Sequence, residues 1–480
     1  MKPFLIALSL LTLILSCNPT TPKSPSLNGT WESIGSGWTL EIRDSTSYSL
    51  YDVTPIATVL NKEAPLSELM DAITLMGDTL LLKKGVMTYT FIRAEDTIGY
   101  DQEDISKERQ QDPLYNFDVF AETVKEHYAF MDLNQLNWKK IVTEQRQKLV
   151  KNPTDLYLYQ VIEETLAILH DNHGFIEADA SVARQLDSIA AIEEIEQETV
   201  NELGDFQVAD KVAAHHLVTD MTKDSWLLKW GDMGNDIGYI QVKAMWLYAK
   251  LDIPKTRIDS LGFVDAYVET FHQMDAGRYI DLEVTAVRSI MDRVMADLKS
   301  TKTIVVDLRF NGGGQDAVNF EILKRFNDTE RQVVSTKLKH REGYTNPAPL
   351  YLEASENPYK KPVYVLTSKQ TGSAAEAFAI GSIALPNIKR IGTPTQGALS
   401  TALEKKLPNG WYFAISNEVY MDVNGNSYEN IGVPVSYSVP YAWDRQTFFH
   451  EVADNLEADK MAILMAIAAL EKNKLRTLKL

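Results

Sequence analysis

The stretch "PVYVLTSKQTGSAAEAFAI", residues 362–380, passes from a short β-branched, apolar run through a small polar turn into an apolar, helix-like segment. A strand feeding a helix across a turn is the repeating unit of α/β folds, so this stretch sets the fold class. It also places Ser373 at the junction, where two readings stand. In one, the hydroxyl caps a helix beginning at Ala374, with Glu376 completing a capping box. In the other, the turn presents Ser373 as a nucleophile and aims the first helix amides at whatever the hydroxyl attacks.

A second strand and turn lie upstream, where "TIVVDLRF" runs into "NGGG", residues 303–314. Glycines directly after a strand let backbone amides approach a ligand oxygen with no Cβ in the way, as an oxyanion hole requires. A plain tight turn is the other reading. Neither a Lys-Ser/Thr pair nor a G-x-G-x-x-G spacing follows, which argues against a phosphate loop. Two such turns at the same end of one sheet would set a nucleophile opposite its donors. "IGYIQV" from Ile237, a helix over Asp281–Leu298, "NIKRIGTPT" and the β-rich "GWYFAISNEVYMDVNG" continue the alternation, and "EADKMAILMAIAALEKNK" closes the chain as an amphipathic helix. Residues 236–480 therefore read as one α/β domain with some parallel pairing and a C-terminal helix.

Upstream the periodicity changes. Residues 27–95 alternate apolar and polar in short runs such as "WTLEIRD" and "MTYTFIRA", the pattern of a small antiparallel β domain. Residues 96–180 carry three helical patterns, the last of them "TDLYLYQVIEETLAILHD", and end at "HDNHGF". Residues 181–235, rich in Glu, Asp, Ala and Gln, read as a helical linker or lid. They lack the alternating strands and Gly-rich carboxylate loop of a PDZ domain.

The amino terminus reads as a targeting segment. Lys2 supplies positive charge, Phe4–Leu15 an apolar run too short to span a bilayer, and Ser16 precedes Cys17. Cys17 is the only cysteine, so no intramolecular disulfide can form. The segment resembles a bacterial lipoprotein signal over residues 1–16, which implies lipidation at Cys17. Residues 17–26, containing "NPTTPKSPS", follow as an extended tether. The expectation is an extracytoplasmic protein attached to a membrane through that lipid. A formal net charge of -18 with no Lys/Arg-dense block disfavours nucleic acid as a partner and leaves peptides or small molecules.

"VVDLRFNGGG", "VYVLTSKQTGSAAEAFAIG" and "IGTPTQG", in that order, resemble the S41 serine peptidases, the tail-specific proteases and their tricorn-core-like relatives. "LAILHDNHGF", "IGYIQV" and "YENIGVPV" extend the resemblance to roughly residues 115–475. It implies a crotonase-like or ClpP-like α/β core, peptide or protein substrates, and hydrolysis with no metal and no organic cofactor. In tail-specific members a lysine is the base, but Ala398 of "TQGAL" stands in its place, and Lys405 and Lys406 lie in a charged run read as a solvated face. The resemblance therefore implies the tricorn-like design: Ser373 as nucleophile, His173 as base, Glu429 as its carboxylate, and Asn172 where relatives have a linking serine. The amides of Ala374 and of Gly313 or Gly314 would hold the oxyanion. An imidazole suits the role because a serine hydroxyl is too weakly acidic to attack an amide unaided. A metal reading through His170, His173, His215 and His216 has no HExxH or cysteine cluster behind it. The reading from another functional class is a non-catalytic, peptide-binding surface lipoprotein that keeps a peptidase-like cleft.

Overall fold

The computed structural model describes residues 26–94, 106–186, 202–274 and 276–477. The signal segment, Cys17 and nearly all of the tether lie outside them, as do parts of the 96–180 and 181–235 segments. Among the described residues no helix is long and apolar enough to cross a membrane.

The centre of the α/β fold is a sheet in which Ile237–Val242, Thr303–Asp307, Val363–Thr367, Ile388–Gly392 and Tyr437–Ser438 run parallel. Leu228–Asp232 and Thr219–Asp220 extend it antiparallel, so the sheet begins upstream of residue 236. Thr303–Asp307 and Val363–Thr367 are buried at every position, which is why they read as unbroken apolar runs. Side chains alternate between two packed faces. Ile304 and Val306 meet Val287, Met291 and Val294 of the helix Ala276–Leu298, together with Phe378 of Ala374–Gly381. Val305 turns the other way, to Ala213 of Asp205–His216 and Ile463 of the C-terminal helix Leu456–Thr477.

The N-terminal residues form a seven-stranded antiparallel sheet from Gly29–Ser33 to Met87–Arg93, packed around Trp31, Leu40, Leu80 and Phe91. Helices Pro113–His127, Trp138–Lys151 and Asp155–Leu169 make a separate layer. Asp155–Leu169 starts on a Thr154 cap and stops where His170 turns left-handed at φ 53°. The chain then enters Phe175–Glu177, which pairs with Tyr412–Ser416 and so ties the helical layer to the core.

One expectation is overturned here. Lys405 is not on a solvated face: it is buried, and its Nζ lies 2.9 Å from Asp52 of the N-terminal sheet and 3.0 Å from the Gly37 carbonyl. The other Asp52 oxygen accepts the Lys406 N–H at 3.0 Å. Charge alone does not separate a solvated run from an alternating edge strand, and Ala402–Lys406 is such a strand, with Lys405 on its inward side.

Candidate active site

The turns after strands Thr303–Asp307 and Val363–Thr367 meet at the carboxyl ends of the parallel strands, where open α/β sheets hold their sites. Buried side chains stitch them together. Thr371 Oγ1 donates to the Leu308 carbonyl at 2.8 Å, Ser368 Oγ to that of Arg309 at 2.6 Å, and the Gly372 N–H to that of Asn311 at 3.0 Å. Beneath them Arg309, fully buried, bridges Asp307 and Asp459, and so ties the first turn to the C-terminal helix.

Ser373 sits at φ 49°, ψ -123°, a conformation an L-residue avoids unless its surroundings impose it. Its hydroxyl does not cap the helix. The Glu376 carboxylate instead accepts from Thr395 Oγ1 at 2.5 Å and from the amides of Gly397 and Ala398, each at 2.7 Å. The serine's half of the expected capping box does not form. The freed Oγ lies 3.2 Å from His173 Nε2. That is hydrogen-bond reach for a base about to take the hydroxyl proton.

His173 is half-buried, and loss of water pushes its imidazole below the usual range, opposed by the negative charge of Asp171. Asp171 Oδ1 accepts the His173 backbone N–H at 3.0 Å and Ser416 Oγ at 2.6 Å, and Oδ2 accepts the Ser416 N–H at 2.7 Å. Sequence reasoning quoted Asp171 within "HDNHGF" but gave it no role. The available signal was an aspartate two residues before the histidine, in position to accept its amide in an Asx-type turn.

Glu429 and Asn172 reach the same loop without forming a chain to the imidazole. Glu429 Oε2 accepts the Leu399 N–H at 2.8 Å, and the exposed Asn172 gives its amide to the Gly397 carbonyl at 3.4 Å. Among the described residues His173 Nδ1 has no hydrogen-bond partner. Burial pushes the Glu429 carboxyl up to about 8, with the neighbouring charges of Glu376 and Asp171 adding to the shift.

The glycine turn sorts its own amides. The Gly313 N–H is taken by Asn311 Oδ1 at 2.9 Å, and Asn311 Nδ2 is anchored on the Val242 carbonyl at 3.0 Å. Gly314 forms an isolated parallel bridge with Met245, in which Met245 bonds Gly313 and Gln315 and the Gly314 N–H points away. Of the two glycine amides expected to face an oxyanion, that of Gly313 is thus already engaged. A Cβ on Gly313 would come within 2.6 Å of Ser373 Cβ and 3.0 Å of the Ala374 nitrogen, so only glycine permits the two turns to approach this closely.

Of the histidines weighed for metal, His216 is buried against Asp459 at 3.0 Å and His215 faces Glu457 at 3.5 Å. Among the described residues no group of three or more His, Cys, Asp or Glu side chains could hold a metal ion.

Residues 236–439 match the family model of peptidase family S41. Among solved structures, the chain is similar to a candidate peptidase from Parabacteroides merdae, at 19% identity over 72% of this chain and 96% of that one, with a TM-score of 0.50. It is also similar to mature CPAF, at 11% identity over 76% of this chain and 99% of that one, with a TM-score of 0.51. At these identities the likeness speaks for the fold.

Proposed function

We propose that this chain is a serine peptidase that hydrolyses peptides or unfolded protein segments, a reading supported by the match of residues 236–439 to the model of peptidase family S41. The observation that carries the reading is the 3.2 Å approach of His173 Nε2 to Ser373 Oγ, made by a serine whose hydroxyl is withheld from capping its helix. Ser373 attacks the scissile carbonyl, and His173 takes the hydroxyl proton and returns it to the leaving amine. The Gly314 and Ala374 amides receive the negative charge that develops on the carbonyl oxygen. Asp171 holds the histidine backbone and favours the imidazolium by its charge. Glu429 and Asn172 brace the loop around Gly397–Leu399, a positioning role one step removed from the expected relay.

Labelling with a fluorophosphonate tests this reading. The wild-type chain should form a covalent adduct at Ser373 and cleave peptides, and Ser373→Ala and His173→Ala should do neither. Peptide binding by a wild-type chain that neither labels nor cleaves would instead assign the protein to the non-catalytic class.

The leader supports a second part of the proposal: the mature chain begins at a lipidated Cys17 and works outside the cytoplasm on a membrane surface. Incorporation of labelled fatty acid into the wild-type chain, and none into Cys17→Ala, is the expected result.

A further inference from the structure

Ser373 and His173 open into a cavity of about 400 Å³ whose opposite wall lies outside the residues that match the peptidase family. That wall is the N-terminal sheet. Trp38 and Leu50 line it from adjacent strands, Val86 lines it from the turn joining Thr79–Lys84 to Met87–Arg93, and Met87 from the start of that second strand. All four are half-buried, so each keeps apolar surface in contact with water inside the cleft. Covering such surface is favourable by about 25 cal/mol per Å².

The wall is held against the core. The turn packs down at Gly85, φ 61°, where a Cβ would lie 3.4 Å from Ile280 Cδ1 and 4.0 Å from Ala317 Cβ. Ala317 belongs to Asp316–Leu323, the helix that begins two residues after Gly314. Tyr89 of the same hairpin donates to Glu418 Oε1 at 3.5 Å, and the buried Lys405–Asp52 pair fixes the strands behind it. The carboxylates on the core side are already engaged: Asp316 accepts from Tyr420 at 2.7 Å, and Glu418 from Thr401 at 3.1 Å. Lys84 and Glu404, one of each charge, also line the cavity and are exposed. Asn61, the polar residue on the sheet side, gives its amide to Asp52 at 2.7 Å, and the rest of the surface left to meet a substrate there is apolar.

We propose that the N-terminal sheet selects the substrate, through an apolar subsite made by Val86 and Met87 with Trp38 and Leu50 that takes a large apolar side chain of the bound peptide. This rests on the peptidase reading of Ser373. A pocket of this kind discriminates by about 10- to 200-fold per apolar group gained or lost.

The test scans one large apolar residue through the positions around the cleavable bond of an otherwise polar fluorogenic peptide, and compares kcat/KM for wild type and Val86→Ser/Met87→Ser. The wild type should prefer the apolar residue at one position, and the double variant should lose that preference by about tenfold or more. Labelling of Ser373 by a small fluorophosphonate, which has no side chain to place, reports that the variant's nucleophile is intact. Should the double variant fail to fold, Val86→Phe gives the converse reading: it fills the subsite and should shift the preference toward smaller side chains. Wild-type selectivity in the variants would overturn the inference alone. No Ser373-dependent cleavage by the wild type would overturn the peptidase reading, and the inference with it.

Discussion

Ser373 pays for its exposure in backbone strain. Its φ 49°, ψ -123° conformation is of the kind that costs about 1–3 kcal/mol in a non-glycine residue. Ser373→Ala should abolish hydrolysis and leave the urea midpoint nearly unchanged, because the strain stays. Ser373→Gly, equally inactive, should be more stable than Ser373→Ala by about 1 kcal/mol, once the relief of strain is set against the entropy of glycine. At His173 burial lowers the pKa, so the acid limb of kcat/KM should fall below the ordinary histidine value. Asp171→Asn removes the charge that opposes the shift and turns an amide N–H₂ toward the Ser416 N–H. It should cost about tenfold or more in kcat and move the acid limb to still lower pH, a displacement that a purely structural defect would not produce. Glu429 carries the opposite sign. Its carboxyl is raised to about 8 from 4.5, so its contribution to stability is complete below the unfolded value and is lost as pH rises through 8. Glu429→Gln should therefore gain stability relative to wild type between pH 5 and 9, on the order of a few kcal/mol at about 1.4 per unit. A pH-independent difference in urea denaturation would contradict this.

The two turns work as one element. Asn311 supplies the clamp, using its Oδ1 to hold the Gly313 amide and its Nδ2 to hold the Val242 strand end. Gly313 supplies the close approach to Ser373. Gly313→Ala should push the turns apart and displace the Gly314 and Ala374 amides from the oxyanion position, with a loss of about 100-fold or more in kcat. The helix Ala374–Gly381, far from the inserted methyl at its other end, should keep its fold, so near-wild-type activity with an unchanged melting temperature would refute the assignment of these amides.

At the scale of the molecule the N-terminal sheet is joined to the rest of the chain through a buried ion pair. Lys405 and Asp52 are both nearly fully buried, and Lys405 Nζ also bonds the Gly37 carbonyl. Breaking such a pair leaves an uncompensated buried charge, which typically costs about 3–5 kcal/mol. Lys405→Met should show a loss of that size in urea denaturation, and Lys405→Met/Asp52→Leu should recover much of it. Equal instability in the single and double variants would mean that the pair does not join sheet and core in the way described.

The α/β order, the antiparallel sheet and the helical layer were legible because each rests on local periodicity: unbroken apolar runs for strands buried on both faces, alternation for the sheet, and a 3.6-residue repeat for the helices. Ser373 and the glycine turn stood out as candidates because each follows an apolar strand at a turn, whereas His173 was named only through the resemblance to S41 peptidases. What the tertiary structure alone decided are relations between residues far apart in the chain. The Gly313 amide goes to Asn311, the Glu376 carboxylate goes to Thr395 and the Gly397–Ala398 amides, and Asp171 holds His173 against Ser416. Asn172 and Glu429 meet the Gly397–Leu399 loop instead of each other, and Lys405 turns inward to Asp52. A donor's choice among acceptors, and a lysine's choice between water and a buried carboxylate, depend on which groups packing brings within about 3 Å, and no local pattern of residue types carries that distance.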